Sequence, residues 1–296
     1  MRASVVVNER SSRSGRAIAE LPQMLAARGI DVAAFVVAKD ELALRKRLKK
    51  FVKNGASLVI VGGGDGAMTV AADVLAHEKC VLGVLPLGTG NSFALTLGID
   101  DKLENAIDVI VARRVLRVDL GTVNGKHFAN FATIGLSAEI ADRAPHMLKK
   151  LIGPAAYAVG GVGSFFTHRP FRAKIWSDTG KRELRTQQIV IASGRFFGHQ
   201  PVLPDASIVD SRLSFFTTTG VSHLEVARMY VAFGLGVQTR LPDAIAFSSK
   251  EIVVRTSPKQ LVSIDGQTLG KTPARFGVAP RALRVCVPTE FDDARG

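Results

Sequence analysis

The chain has 296 residues, of which 47% are hydrophobic, and a formal net charge of +13. A chain of this length exceeds the usual size of one hydrophobic core, so we expect two domains. The most apolar stretch, residues 154–166, is too short for a bilayer, which needs roughly 20 residues, and the N-terminus lacks the features of a secretion signal. Two cysteines beside predicted buried strands, Cys80 and Cys286, indicate reduced thiols. We therefore expect a cytoplasmic protein.

The first part of the chain alternates predicted strands with predicted helices. Residues 3–7 and 32–37 are short apolar runs typical of strands,. Residues 15–28 and 40–53 place their apolar side chains on one face of a helix,. This alternation predicts a parallel sheet with right-handed crossover connections.

A first glycine-rich turn follows a third predicted strand. Residues 58–61 are Leu-Val-Ile-Val, and the next five are Gly62, Gly63, Gly64, Asp65 and Gly66, before a predicted helix over residues 67–75. A strand, a glycine turn and a helix together direct backbone N–H groups at a phosphate. An acid beside a polyphosphate needs a metal ion or a proton, so the turn indicates phosphoryl chemistry. The alternative interpretation is a tight turn with a solvated aspartate.

A second glycine-rich turn has the same arrangement. A predicted strand over residues 81–86 leads into Gly88, Thr89, Gly90 and Asn91, and Asn91 or Ser92 is suited to cap the next helix,. Neither turn matches the dinucleotide fingerprint or a P-loop. Both turns would lie at the carboxyl edge of one parallel sheet, where such sheets bind ligands.

The pattern changes from about Asp119 onwards. Short alternating segments predict antiparallel strands, and residues 222–233 predict one helix. The predicted strands are residues 171–177, 187–193, 212–217, 251–256 and 284–287.

These motifs carry a resemblance to a known family. The segment from Gly62 to Gly66 and the block Leu85-Pro86-Leu87-Gly88-Thr89-Gly90-Asn91-Ser92-Phe93-Ala94 resemble the catalytic domain of diacylglycerol and sphingosine kinases, closest to the small bacterial members. The resemblance continues in order along most of the chain. NAD kinases and phosphofructokinases resemble the chain only at Gly-Gly-Asp-Gly. The further matching blocks are residues 117–121, 128–130, 134–139, 194–198, 204–206, 265–267 and 278–285.

The resemblance implies a fold and a reaction. Residues 1–120 are expected to form an α/β nucleotide-binding domain with a parallel sheet, as in NAD kinase and phosphofructokinase. Residues 121–287 are expected to form a mainly antiparallel β-sandwich for the lipid, with residues 288–296 returning to the first domain and the active site in the cleft between domains. The implied activity is an ATP- and Mg²⁺-dependent transfer of the γ-phosphate to a hydroxyl of a diacylglycerol-like lipid.

The resemblance also implies roles for individual residues. Asp265 is expected to be the general base and Asp65 the organiser of Mg²⁺ and phosphate, and Asp210 is expected to supply a regulatory metal site. Because both catalytic acids are predicted in turns, we expect their substitution by asparagine to retain the fold. The expected nucleotide cradle consists of Asn8, Gly62, Gly63, Gly64, Asp65, Gly66, Gly88, Thr89 and Asn91.

Several positions depart from the family pattern, which commonly has a proline, a threonine, acidic residues or a glycine there. The departures put the divalent-ion network in doubt. A catalytically weakened kinase and a protein that only binds nucleotide or lipid therefore stay open. An NAD kinase-like enzyme stays open as well, because it shares the Gly-Gly-Asp-Gly motif. The departures are Glu9, Ala67, Ser92, Ser137, Ser211 and Gln267.

The positive charge predicts an anionic partner. We expect the basic helix segment from Arg45 to Lys50 to contact anionic lipid at the inner face of the membrane, with a solvated helix face as the alternative. Few aromatic residues and no RNA-binding signature argue against nucleic acid, and a homodimer is compatible with the sequence. A second candidate contact comprises Arg143, His146, Lys149 and Lys150 before apolar residues 151–166, with core packing of that segment as the favoured alternative. His199 lies in a loop predicted to face the cleft, with a solvated loop residue as the favoured alternative.

Overall fold

The computed structural model describes residues 1–143, 167–197, 200–201, 203 and 205–292. Three sequence predictions lie outside this range: the contact at His146, Lys149 and Lys150, the apolar residues 151–166, and His199. The chain divides into two compact units. Unit 1 comprises Met1–Leu120 and Ala279–Gly296, and unit 2 comprises Gly121–Val278.

Unit 1 begins with alternating strands and helices around a parallel sheet. The strands occur in the order β2-β1-β3-β4, and each neighbouring pair is parallel. The structure thus confirms the α/β architecture that the sequence predicts. The elements are β1 (Arg2–Asn8), α1 (Ser14–Ala27), β2 (Asp31–Ala38), α2 (Glu41–Lys53), β3 (Leu58–Gly63), α3 (Asp65–Leu75), β4 (Val81–Pro86), α4 (Ser92–Thr96), α5 (Leu103–Ala112) and β5 (Val115–Val123).

Helix α2 shows how the sequence determines these elements. Its buried side chains, Leu44, Leu48 and Phe51, recur at the spacing of one helix face,. The side chain of Asp40 caps the helix by accepting a hydrogen bond of 2.8 Å from the N–H of Ala43,. Most of its exposed positions are basic, and the half-buried Arg45 forms an ion pair of 2.6 Å with Asp73.

Unit 2 is rich in β-strands. Its elements are β6 (Lys126–Phe128), β7 (Phe131–Gly135), α6 (Leu136–Arg143), β8 (Phe171–Ser177), β9 (Gly180–Thr186), β10 (Gln188–Ala192), β11 (Phe196–Phe197), β12 (Gln200–Pro201), β13 (Leu213–Thr218), α7 (His223–Leu235), a 3₁₀ turn (Gln238–Arg240), β14 (Ala244–Ser249), β15 (Glu251–Ser257), β16 (Leu261–Ile264), β17 (Gln267–Lys271) and β18 (Ala274–Cys286).

Two antiparallel layers form a sandwich in unit 2, as the sequence predicts. One layer has the order β14-β13-β10-β7-β16-β17, and the other has β18-β15-β8-β9. Large side chains from both layers, among them Phe171, Phe215 and Phe276, meet in one buried core. On the far side of the first layer, a second core holds residues of α6 and α7, including Ile140, Val226 and Met229.

Strand β18 is longer than the predicted strand over residues 284–287. Its first residues pair antiparallel with β15 in unit 2, and Arg284 and Val285 pair parallel with β4 in unit 1. The apolar alternation is interrupted by Pro280 and by Arg281, whose φ is +50°. This interruption explains why sequence patterning detects only the end of the strand.

No helix in the described parts of the chain is both long enough and apolar enough to cross a bilayer.

Candidate active site

The carboxyl ends of three neighbouring strands in unit 1 carry most of the predicted site residues. Asn8 ends β1, Gly62 and Gly63 end β3, and Pro86 ends β4 just before the second glycine turn. The N–H of Leu87 donates a hydrogen bond of 3.0 Å to the carbonyl of Gly63. The two glycine turns therefore meet at one edge of the sheet, where α/β proteins bind ligands.

The closest approach between the turns is at Gly64 and Gly88. A Cβ atom added to Gly88 would lie 2.4 Å from the Cα of Gly64 and 2.9 Å from the Oδ1 of Asn91. A Cβ atom added to Gly64 would lie 3.0 Å from the Cα of Gly88. The backbones contact each other directly, so glycine is required at Gly88 for steric reasons.

Asp65 links the helices that follow the two turns. It is the first residue of α3, and its carboxylate accepts hydrogen bonds from the hydroxyl of Ser92 (3.1 Å) and the N–H of Phe93 (3.2 Å) at the start of α4. The carboxylate thereby satisfies an N–H that a helix terminus leaves unpaired. Asp65 is thus a bridging residue, and its half-buried carboxylate is engaged within the protein.

Asn91 is buried, and its side chain shapes the second turn from within. Its amide nitrogen donates to the carbonyl of Gly88 (2.9 Å) and to Asp101 (2.7 Å), and its oxygen accepts from the N–H of Gly88 (2.9 Å). Both amide hydrogens are thereby used within the protein. Thr89 differs, because it is exposed and its hydroxyl lies 3.4 Å from that of Ser12.

Sequence reasoning missed Arg13, in the loop after β1. Its guanidinium donates to the carbonyls of Pro86 (2.7 Å) and Asp101 (2.9 Å), and its backbone N–H donates to Leu87 (3.0 Å). The side chain thereby fastens this loop to the second glycine turn. Its position in the sequence could have indicated this role, because the loop after β1 leaves the same edge of the sheet as the glycine turns.

Asp265 lies in unit 2, at the tip of the hairpin between β16 and β17. Asp265 and Gly266 have φ values of +45° and +81°, and an Asp-Gly pair is favoured in a two-residue hairpin loop for this reason. The carboxylate accepts three backbone hydrogen bonds, from Ala129 (3.0 Å), Asn130 (3.1 Å) and Phe131 (2.8 Å). These three contacts hold the carboxylate in one orientation.

These contacts give Asp265 a structural role within its turn. Its carboxylate holds the backbone from Ala129 to Phe131, so we expect its substitution to lower stability, and retention of the fold by Asp265→Asn stays a prediction. Next to it, the Asn130 side chain is 2% exposed, and neither of its polar atoms has a hydrogen-bond partner in the described structure. A buried amide of this kind calls for a water molecule or a ligand group. Sequence reasoning noted Asn130 only as part of a family block.

The predicted metal residue Asp210 lies in unit 2, between β12 and β13. Asp210 is exposed, and its carboxylate accepts a hydrogen bond of 2.9 Å from the N–H of Arg212. Within the ranges that the structure describes, no group of three or more His, Cys, Asp or Glu side chains is arranged to hold a metal ion, so the metal role of Asp210 stays a prediction. Ser211 has a φ of +58°, which explains why glycine suits this position.

Ser137 belongs to a hydrogen-bonded group in unit 2. Its hydroxyl donates a hydrogen bond to the Oε1 of Gln188. The same oxygen accepts a hydrogen bond of 2.8 Å from the hydroxyl of Tyr230. Burial raises the pKa of Tyr230 to about 12. The serine thus has neutral partners where the family commonly has an acid.

Comparisons with known proteins agree with this geometry. Residues 2–123 match the model of the diacylglycerol kinase catalytic domain, and residues 130–287 match that of the YegS C-terminal NAD kinase beta sandwich-like domain. A probable lipid kinase YegS-like from Enterobacter sp. (strain 638) is 30% identical over 244 residues, which is 80% of each chain. A diacylglycerol kinase from Staphylococcus haemolyticus (strain JCSC1435) is 23% identical over 266 residues, 89% of this chain and 80% of the relative.

Solved structures show the same fold. Two crystal structures from Bacillus anthracis str. Sterne cover 97% of this chain, with TM-scores of 0.82 and 0.75 at 22% and 21% identity. The alignments cover 95% and 97% of those chains, and the second structure is of a diacylglycerol kinase. With both family models and a 30% identical relative in agreement, the chain belongs to the lipid kinase family that combines the diacylglycerol kinase catalytic domain with a YegS-type β-sandwich.

Proposed function

We propose that this protein is an ATP- and Mg²⁺-dependent kinase that transfers the γ-phosphate to a hydroxyl of diacylglycerol or a related lipid. The observation that carries the proposal is the contact between Gly64 and Gly88, with Asp65 bridging to Ser92. In a chain of the lipid kinase family, this contact builds a polar, glycine-lined edge of the kind that accommodates phosphates.

The nucleotide would lie along this edge of unit 1. Gly62, Gly63, Gly64 and Gly66 allow the backbone to approach the phosphates closely, and the N-terminus of α3 supplies N–H groups and a positive partial charge. Asn8 and Thr89 flank the turns. Asn91 contributes by holding the second turn in shape, because its amide is engaged within that turn.

Asp65 is the residue that would hold the magnesium ion. The hydrogen-bond partners of its carboxylate at Ser92 and Phe93 are neutral, and carboxylate oxygens are ligands that Mg²⁺ prefers, so the residue fits a cation. Magnesium prefers one or two carboxylates together with phosphates and water. When bound, the ion would neutralise charge on the phosphates during transfer.

The acceptor hydroxyl needs a group that takes its proton. Its oxygen forms a bond to the γ-phosphorus while the bond between that phosphorus and the bridging oxygen breaks and ADP leaves. We assign the proton to the carboxylate of Asp265, which lies at the tip of its hairpin and accepts hydrogen bonds from the N–H groups of Ala129, Asn130 and Phe131. The three N–H groups also fix the direction of the carboxylate, and positioning supplies much of the catalysis in phosphoryl transfer.

A substrate panel tests this function. Purified protein is incubated with γ-labelled ATP and Mg²⁺, together with a set of lipid alcohols in neutral mixed micelles, and with NAD in parallel. We expect label in a lipid that carries a free hydroxyl. Label in NAD alone would contradict the proposal in favour of an NAD kinase, and nucleotide binding without turnover would contradict it in favour of a sensor.

A further inference from the structure

One face of unit 2 carries a dense set of cationic side chains. In the layer β18-β15-β8-β9, alternate residues such as Phe171, Ala173 and Ile175 point into the core, and the residues between them point outward,. We call the outward set the basic face. It contains six cationic and two acidic side chains around the single tryptophan of the chain: Arg172, Lys174, Trp176, Lys181, Glu183, Arg185, Glu251, Arg255 and Arg275.

Strand register brings like charges together on the basic face. Arg172 is directly opposite Arg185, and Lys174 is directly opposite Arg255. Like charges at such positions destabilise a sheet. An anionic partner that covers this face would relieve the repulsion.

Few of these cations are neutralised within the protein. Lys174 lies 3.6 Å from Glu183, and Arg275 lies 2.8 Å from Glu251. Arg172, Arg185 and Arg255 are exposed and form no ion pair with any residue that the structure describes. The basic face therefore keeps an excess of positive charge available to a partner.

Trp176 belongs to the basic face and lies opposite Lys181 of β9. Its ring centroid is 5.7 Å from the Nζ of Lys181 and 5.5 Å from the Cζ of Arg255, and its side chain is half-buried. Tryptophan beside lysine and arginine is the combination that favours the headgroup region of a bilayer.

We propose that the basic face docks this protein onto a bilayer that contains anionic phospholipids. The proposal rests on the proposed function in one respect, namely that the acceptor is a lipid. A single aromatic side chain does not make the series of stacking platforms that single-stranded nucleic acids use. The charge of the face is complementary to that of an anionic membrane surface.

The assignment differs from the one that the sequence alone suggests. Helix α2 is also basic, but its Arg45 is engaged with Asp73. Helix α7 exposes Leu224, Val231 and Leu235, and it packs on the far side of the other layer of unit 2. A flat bilayer that contacts the basic face therefore does not reach the apolar residues of α7. The contact is then electrostatic, so docking should weaken as the salt concentration rises.

Trp176 reports directly on docking because it is the only tryptophan in the chain. Its emission is recorded with vesicles of phosphatidylcholine alone and of phosphatidylcholine with phosphatidylglycerol. We expect a blue shift with the anionic vesicles only, reversed by salt as the screening length falls from ~10 Å at 0.1 M to ~3 Å at 1 M. Vesicle sedimentation without a change in emission would overturn the proposal, as would an equal shift with single-stranded oligonucleotides.

Two matched charge-reversal variants test the face itself. The variant Arg172→Glu/Arg185→Glu/Arg255→Glu should lose anionic vesicle binding by on the order of a hundredfold. The control Lys46→Glu/Arg47→Glu/Lys49→Glu on α2 should bind as the wild type does. The opposite ranking of these variants would overturn the assignment.

Two further measurements make these outcomes interpretable. If the charge-reversal variant does not fold, the glutamine variant at Arg172, Arg185 and Arg255 should still show a smaller loss, and unchanged binding by it would overturn the proposal. Phosphorylation of a short-chain lipid in neutral micelles should be unchanged in all variants. If the wild type does not phosphorylate this lipid, the proposed function is contradicted. The vesicle measurements would still decide whether the basic face binds anionic membranes.

Discussion

The carboxylate of Asp65 accepts a hydrogen bond of 3.1 Å from the hydroxyl of Ser92. The two residues begin the helices that follow the two glycine turns, and 27 positions separate them in the sequence. Because the family commonly has an acid where this chain has Ser92, the neutral donor changes the electrostatics of the site. A second acid would require a cation, whereas serine allows the two helices to be joined without one.

Replacing Ser92 by aspartate tests whether a cation binds at Asp65. Ser92→Asp would place two carboxylates side by side, and we expect the free energy of unfolding in EDTA to fall by about 1–3 kcal/mol. Mg²⁺ should restore stability, since a ligand that binds only the folded state stabilises it. Thermal unfolding measures both effects, with the uncharged variant Ser92→Asn as the control. If Mg²⁺ restores nothing, Asp65 does not hold the ion.

Substitution of Asp265 by asparagine should affect both stability and turnover. An amide group cannot accept all three N–H bonds from Ala129, Asn130 and Phe131, so we expect a loss of about 1–3 kcal/mol in the free energy of unfolding. Loss of the base should lower kcat by about 10²-fold or more at temperatures where the variant is fully folded. A folded variant with wild-type kcat would show that Asp265 has a structural role alone.

A methyl group at Gly88 should disrupt the contact between the glycine turns. The added Cβ of Gly88→Ala would lie 2.4 Å from the Cα of Gly64, and such overpacking costs about 1–3 kcal/mol. We expect weaker ATP binding by calorimetry and a lower unfolding temperature. Gly234→Ala in α7 is the matched control, because nothing lies within 4 Å of its added Cβ and alanine favours helix by roughly 0.5–1 kcal/mol. Equal behaviour of the two variants would contradict the close approach.

The raised pKa of Tyr230 leads us to expect a lower free energy of unfolding at alkaline pH. Burial raises its pKa to about 12 from the usual 10, so between these values the unfolded chain releases the phenol proton and the folded chain retains it. Stability therefore falls as pH rises through this window, by up to roughly 2–3 kcal/mol from this group. Tyr230→Phe should start less stable, having lost a hydrogen bond to Gln188, and its deficit should shrink towards pH 12. A constant deficit in urea titrations would contradict this interpretation.

The sequence predicts the layout of unit 1 well because local signals there agree with the tertiary structure. The apolar run of β3 indicates a buried parallel strand,. The glycines that follow β3 and β4 indicate tight turns, and Gly64 and Gly88 in these turns approach each other closely.

In unit 2, the sequence predicts helix α7 almost to its ends, since Ser222 and Glu225 form a capping box,.

The sequence does not reveal features that depend on long-range pairing. The basic face requires the register of β8 with β9 and β15, which places Arg172 opposite Arg185. The backbone donors around Asp265 come from residues about 135 positions earlier in the chain. Arg13 is an ordinary loop arginine until the fold brings it to Pro86.

The central claim is tested most directly by the rate of phosphate transfer in a matched pair of variants. Wild type, Asp65→Asn and Asp73→Asn are assayed with γ-labelled ATP, Mg²⁺ and diacylglycerol in neutral micelles, and the phosphorylated lipid is quantified after extraction. Asp73 lies in the same helix but pairs with Arg45, so its variant should retain near wild-type kcat. Asp65→Asn should lose about 10²-fold or more. Unchanged transfer by Asp65→Asn, or no labelled lipid with the wild type, would contradict the account.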